Sequence, residues 1–308
     1  GIGTEILSRL IARCRKFGIR DIQLFAADSK APFYHKCGFA LRPHDAPGME
    51  FRSEKWQHLR NTFNRSADVY DRIRPGYPAA LIDDVIILSG IQEHGRILEI
   101  GCATGKATEL FASTGFTMDC LDIGSDLAAV AAAKFREFDN IRIIVSSFED
   151  WKPDGQLYDL IIAATSFHWV DPAVAYTKSA ALLKPAGTLA VFSNKHVQNT
   201  EGFFGAVQDV YSDSAPSMIN TTGNIKENLQ ALPGEELFEK PIFRSYPWST
   251  EYSTSQYIDL LSTYSDHINL PDAERDALFT GIANLINREY GGCLLKHYEA
   301  VLTLRRKK

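Results

Sequence analysis

The chain has 308 residues, 45% apolar and 23% charged, with a formal net charge of −5. That is enough chain to bury a sizeable core in one large domain or two smaller ones, and no apolar run is long enough to span a bilayer. The first 50 residues carry eight Lys/Arg against five Asp/Glu, which leaves an acidic remainder poorly suited to tracking phosphates, so neither nucleic acid nor membrane is an expected partner.

Gly1 to Leu7 lack the basic-then-apolar order of a signal peptide, and a cytoplasmic location is expected. Residues 4–17 carry an apolar stripe of Ile6, Leu7, Leu10, Ile11 and Cys14, which predicts a helix stopped by Gly18. A strand over 21–27 and a short helix over 31–36 follow, and the turn-rich 43–48 reads as a linker with a domain boundary near residue 51. Gly1-Ile-Gly3 opening a helix, with Ala31-Pro-Phe-Tyr-His-Lys-Cys-Gly-Phe39, resembles the C-terminal part of the GNAT N-acetyltransferase fold. In that resemblance the glycine turn faces coenzyme A and Tyr34 is a general acid. The early strands of that fold are missing, so residues 1–51 read as a GNAT-like remnant and linker rather than a working acetyltransferase.

Residues 52–308 alternate helix and strand. Helices are predicted over 68–72, 78–89, 106–113, 127–138 and 172–183, and strands over 96–100, 117–122, 141–145, 158–164 and 188–192. Near-continuous apolar strands between helices give a doubly wound, mostly parallel α/β sheet covered on both faces. Helices over 201–211, 255–267 and 272–290 would form a cap, and 238–248 with 294–304 would finish the sheet antiparallel. Trp248, Tyr252, Tyr257 and Tyr264 read as packing of that cap rather than a cage, and Arg305 to Lys308 as a solvated tail. Five scattered cysteines without a Cys-x-x-Cys pair, and eight histidines without a His-Glu-x-x-His pair, give neither a disulfide framework nor a metal site.

In such sheets ligands bind beyond the carboxyl ends of the strands. The turn after 96–100, Gly101-Cys-Ala-Thr-Gly105, follows Glu99 and has neither the dinucleotide Gly-x-Gly-x-x-Gly spacing nor a Walker loop. Gly101 would permit the tight turn and Gly105 a close approach of ligand to backbone. Asp122 ends the next strand, 17 residues after Gly105, where a carboxylate can take the two hydroxyls of a ribose or cap the following helix. The next two strand ends carry Ser146-Ser-Phe-Glu-Asp-Trp151 and Ala164-Thr-Ser-Phe-His-Trp169.

Leu98-Glu-Ile-Gly-Cys-Ala-Thr-Gly105, Asp122, Leu183-Lys-Pro-Ala-Gly187 and the segment Phe63 to Tyr70 with Arg74-Pro-Gly-Tyr-Pro78 together resemble class I S-adenosylmethionine-dependent methyltransferases. The likeness is to the small-molecule group that includes trans-aconitate and ubiquinone-pathway enzymes. The resemblance implies that Glu99 and the backbone of Gly101, Cys102, Ala103 and Gly105 hold the methionine part of S-adenosyl-L-methionine. It also implies that Asp122 binds the ribose, that Ile123, Phe148 and Glu149 border the adenine, and that Thr165 lines the site from the fourth strand end. Tyr70 and Arg74 would close over the cofactor, although Arg74 could instead fix a turn and Phe148 could be core. Ala103 and Ala186 replace glycines common in the family, and Ser147 stands where an aspartate often sits, still able to meet the adenine amino group. His168 is the candidate for assisting proton removal from a small-molecule acceptor. A non-catalytic cofactor-binding module and a bifunctional acetyl/methyltransferase are the alternatives, and no protein partner is read from the chain.

Overall fold

A computed structural model of the chain describes residues 7–13, 23–24, 34, 36–37, 39–41, 49–51, 67–197, 201–219 and 235–308. Residues 7–13 are helical, and β1 (Gln23–Leu24), β2 (Phe39–Leu41) and β3 (Met49–Phe51) form an antiparallel sheet in the order β1-β3-β2. The glycine turn at Gly1 to Gly3 and most of 31–38 lie outside the described residues, so the acetyltransferase likeness gains nothing from this sheet.

The larger body opens with α1 (Ala67–Ile73) and α2 (Ala79–Ser89), then alternates β4 (Arg96–Ile100), α3 (Thr108–Phe111), β5 (Thr117–Asp122), α4 (Ser125–Lys134), β6 (Ile141–Val145), β7 (Tyr158–Ala164), α5 (Pro172–Leu182) and β8 (Leu183–His196). The remainder is α6 (Phe203–Ser214), α7 (Pro216–Ile219), β9 (Ile242–Ser253), α8 (Thr254–Ser262), α9 (Ser265–Ile268), α10 (Asp272–Glu289) and β10 (Cys293–Arg306). Seven strands form one sheet in the order β6-β5-β4-β7-β8-β10-β9. β6, β5, β4, β7 and β8 pair in parallel, and β10 pairs antiparallel with both β8 and β9. The sheet is therefore the mixed, doubly wound one the sequence predicts.

Two cores lie against its two faces. Ile97, Cys120, Ile162, Phe192 and Ala300 pack with Leu81 and Val85 of α2, while Leu98, Leu121, Ile161 and Leu189 pack with Ala175 and Leu182 near α5. Period-two alternation in strands apolar on both sides requires this. A third core joins α6, α8 and α10 to the start of β10 through Val207, Leu260, Ile282 and Leu294, making the cap.

Several boundaries differ from the sequence reading for local reasons. The predicted helix over 127–138 ends at Lys134, since Phe135 leaves it to pack, 4% exposed, against the glycine turn. The helix expected over 255–267 breaks between α8 and α9, where Thr263 Oγ1 donates to the Leu260 carbonyl and the Thr263 carbonyl accepts from Arg74. The strand expected over 238–248 is β9, an edge strand that tolerates Pro247. The terminal basic run is no solvated tail. Arg305 is 3% exposed within β10, and Lys307 donates its ammonium to the Leu183 carbonyl at 2.8 Å.

Candidate functional site

The parallel strands end together, and the loops leaving β4, β5 and β7 meet there. After β4 the turn is unusual backbone: Gly101, Ala103 and Gly105 have φ of 70°, 49° and 82°. A Cβ on Gly101 would lie 2.5 Å from the Cβ of Ser166, whose hydroxyl donates to the Ile100 carbonyl, so the glycine lets the end of β7 press against the turn. Gly105 has a different reason from the one its spacing suggests. Its added Cβ would meet Phe135 at 2.3 Å, so it makes room for that ring rather than for a ligand. The amides of Cys102, Ala103 and Gly105 donate to Leu121 O, Asp122 Oδ2 and Cys102 O. The turn thus bonds inward, and at these three positions it offers a ligand space rather than donors.

Glu99 is fully buried on β4. Thr108 Oγ1 donates to its Oε2 at 2.6 Å, while Oε1 is buried without a hydrogen-bond partner. Burial pushes its carboxyl up to about 7, against the opposing pull of Thr108 and the nearby Cys120. Asp122, 7% exposed, accepts from Ala103 N and Gly124 N at 2.7 Å each, the latter just before α4. Its carboxylate therefore ties the Gly101–Gly105 turn to the loop before α4, while the helix itself carries no side-chain cap. Ile123 beside it is 40% exposed. The thiols of Cys102 and Cys120 are pushed up by burial, which leaves them protonated and unreactive.

The segment from α1 to α2 runs across these loops. Burial raises the phenol of Tyr70, against the opposing charge of Arg74, and the nearby Asp122 raises it further. Tyr77 bonds to Thr165 Oγ1 at 2.7 Å and meets Phe192 edge-on at 4.9 Å, and Asn194 donates to the Gly76 carbonyl. Thr165 has φ of 56°, a strained setting for a β-branched residue, at the tip of β7. Tyr77, Ser166 and Asn194 were not among the sequence candidates, although Tyr77 stands inside the quoted Arg74-to-Pro78 motif.

Four of the candidate residues have partners within the protein. Phe148 is 3% exposed in the α5-side core, on the face opposite Ile97 and Cys120, and Lys178 of α5 collects the carbonyls of Phe148, Glu149 and Trp151 beneath it. The Glu149 carboxylate accepts from Asp171 N at the entrance to α5. Ser147 donates to Asp150 and accepts from its amide, closing a local turn. Arg74 is held within the protein over a long sequence span. It donates to Thr263 Oγ1 at 2.9 Å and to the Thr263 carbonyl at 2.6 Å, with its guanidinium over the rings of Tyr70 and Tyr264. It clamps the crossing segment to the cap across 189 positions of sequence.

His168 sits exposed on a short 3-10 turn after β7, against Trp169, and partial desolvation lowers its imidazole. Among the described residues there is no cluster of His, Cys, Asp and Glu able to hold a metal, and no helix long and apolar enough to cross a membrane.

Residues 97–187, from β4 to the start of β8, match the family model described as a methyltransferase domain. The chain is 24% identical over 225 residues to an uncharacterized methyltransferase of Mycobacterium tuberculosis, covering 73% of this chain and 85% of the relative. It is 30% identical over 173 residues to the malonyl-[acyl-carrier protein] O-methyltransferase of Priestia megaterium, covering 52% and 61% of the two chains. Over 102 residues it is 31% identical to the trans-aconitate 2-methyltransferase of Variovorax paradoxus, covering 33% and 39%. A solved structure from Anaeromyxobacter dehalogenans, described as a candidate type II methyltransferase, superposes with a TM-score of 0.50 at 18% identity, covering 76% of this chain and 97% of that one. The mixed seven-stranded body therefore has a Rossmann-like methyltransferase fold.

Proposed function

We propose that the chain is an S-adenosylmethionine-dependent methyltransferase that acts on a small-molecule acceptor. The observation that carries this is Glu99 Oε1, a carboxylate oxygen buried without a partner one residue before the glycine turn. A buried acceptor of that kind needs a donor, and the α-ammonium of a methionine supplies one. The match of residues 97–187 to a methyltransferase domain supports the same reading.

In this proposal Glu99 holds the amino acid end, the Asp122 carboxylate faces the ribose hydroxyls, and Ile123 covers the adenine. Tyr70 shields the cofactor from above, held by Arg74 through the cap. Phe148 and Glu149 take no part through their side chains. The bound cofactor supplies a methyl group on a sulfonium that is already a good leaving group. The protein aligns acceptor, methyl and sulfur and excludes water, which is where most of the rate gain in such a displacement lies. His168, exposed at the acceptor end of β7 with a lowered imidazole pKa, is placed to accept a proton from the acceptor.

Calorimetric titration with S-adenosylhomocysteine tests the cofactor half of the proposal: saturable binding is expected, and its absence sinks the reading. For His168, His168→Ala should lower turnover around neutral pH without changing cofactor affinity. Equal turnover in the two proteins would remove His168 from the chemistry.

A further inference from the structure

The cap side of the sheet holds a second buried charge that the cofactor reading does not use. Along β10 the alternation places Leu294, Lys296, Tyr298 and Ala300 inward, all buried. Lys296 is 6% exposed. Its Nζ lies 4.6 Å from the ring centroid of Phe204 on α6, 5.4 Å from that of Tyr298 and 5.7 Å from that of Tyr257 on α8. Among the described residues no carboxylate, carbonyl or hydroxyl stands within hydrogen-bond distance of this ammonium.

Three rings offset part of the cost of burying a cation. They provide no lone pair for three N–H donors, and burial draws the ammonium down to about 8. The neighbours do not neutralise it. His196, paired with Tyr298 across β8 and β10, is pushed down to about 4 by its own burial and then by Lys296 and Arg74. Arg74 is bonded to Thr263. Asp266, the carboxylate whose charge opposes these cations at His196, accepts from His267 N at 3.0 Å and pairs with His267 Nδ1 at 2.9 Å. Tyr298, whose ring lies beside Lys296, meets the phenol of Tyr252 at 3.1 Å, and burial raises both phenols, so each keeps its proton.

The interior here is one uncompensated cation next to neutral O–H donors, at the end of the sheet where β8 leaves the cofactor loops. A carboxylate complements it, since it accepts charge-assisted bonds from an ammonium and ordinary ones from phenols. A phosphate dianion would call for a second unengaged cation, which Arg74 and the neutral His196 do not supply. We propose that Lys296, with the Tyr298 phenol beside it, forms the anion subsite of the methyl acceptor, and that the acceptors are small organic acids held by a carboxylate at this point. The assignment rests on the strand-end cleft being the methyl-transfer site. Tyr257 packs in the cap core as the sequence reading expects, and its ring also faces Lys296.

The test uses the whole chain labelled with 13C at lysine Cε, with the Lys296 resonance identified as the one lost in Lys296→Met, or in Lys296→Arg should the first variant fold poorly. The pH titration of that resonance is followed in acetate and in acetamide at equal concentration, with and without S-adenosylhomocysteine. Acetate should move the midpoint up by about one pH unit, because a bound anion favours the ammonium, and acetamide should leave it in place. Equal midpoints in the two solutes, or equal movement by both, overturns the subsite. Binding of S-adenosylhomocysteine in the same samples is read separately, so a failed cofactor reading and a failed anion subsite give different results.

Discussion

Glu99 and Lys296 are both buried on strands of one sheet, yet their surroundings are opposite. Glu99, on β4, keeps one oxygen on Thr108 and the other unbonded, with Asp122 and two protonated thiols nearby. Lys296, on β10, lies among aromatic rings, with a neutral His196 close enough to feel its charge. A buried carboxylate is stabilised by a cation and a buried ammonium by an anion, and either left alone is costly. On the readings proposed above, the β4–β5 side is charged to receive the donor's ammonium and the β8–β10 side to receive an acidic acceptor. Arg74 joins the halves mechanically, since it contacts Tyr70 over the first and the cap over the second.

The strongest way to break the donor side is Asp122→Ala. It removes the acceptor of two backbone amides, Ala103 N and Gly124 N, as well as the proposed ribose contacts. Bonds to a charged acceptor are worth about 1.5–3 kcal/mol each, so affinity for S-adenosylhomocysteine should fall about 100-fold or more. Calorimetry showing wild-type affinity would leave Asp122 as a tie between the turn and the loop before α4 and nothing else.

Lys296→Met probes the other side through stability. The folded chain holds Lys296 down to about 8 from its ordinary 10.5, so the neutral amine is the form the fold favours. Its contribution to stability is therefore present above the ordinary lysine value and lost as pH falls through about 8. A methionine of similar length among the rings should stabilise the ligand-free protein by about 2 kcal/mol at neutral pH. The advantage should shrink as pH rises toward 10.5. Thermal unfolding across that range checks it, and a variant less stable at every pH would show that the ammonium has a partner in the free protein.

How much of this was legible in the sequence follows from where the determining contacts lie. The order of the parallel strands and the place of the cleft were readable because β4, β5 and β7 are apolar on both faces and their ends carry the polar groups. Glu99 and Asp122 could be singled out as candidates because a glycine turn and two strand ends lie close together in the sequence. The surroundings of Phe148 and Glu149 were not legible, because position at a strand end does not say which face a side chain takes, and the carbonyls gathered by Lys178 decide that. Arg74 was left open because its partner, Thr263, is brought to it only by the break between α8 and α9. Lys296 left a signal, a lysine at an inward position of an alternating strand, but its meaning depends on rings from α6 and α8 that fold over it.

Glu99 sharpens the comparison through pH. Its carboxyl is raised to about 7, so its contribution to the stability of the ligand-free protein is full below the ordinary carboxylate range and lost as pH climbs through about 7. A bound α-ammonium favours the ionised form instead. Affinity for S-adenosylhomocysteine should rise about tenfold from about pH 6 to about pH 8, and Glu99→Gln should flatten that rise while keeping a partner for Thr108. A wild-type slope in the variant would assign the pH dependence to another group.

The smallest effect separates strain from function within the donor side. Ala103 sits at φ of 49° and Ala186 at 60°, both in the left-handed region that disfavours a side chain. Replacing either by glycine relieves that cost and returns part of the gain through the larger entropy of the unfolded chain, leaving about 0.5–1 kcal/mol of stabilisation. Ala186 lies in the stretch of β8 next to α5, away from the Gly101–Gly105 turn, and serves as the control. Both variants should unfold at slightly higher temperature. Ala103→Gly should also keep wild-type affinity for S-adenosylhomocysteine, because the contribution of this residue is its amide on Asp122, which glycine retains. Weaker binding in Ala103→Gly, with Ala186→Gly unchanged, would mean that the methyl group at 103 itself shapes the cofactor site, and the donor side would then depend on packing as well as on charge.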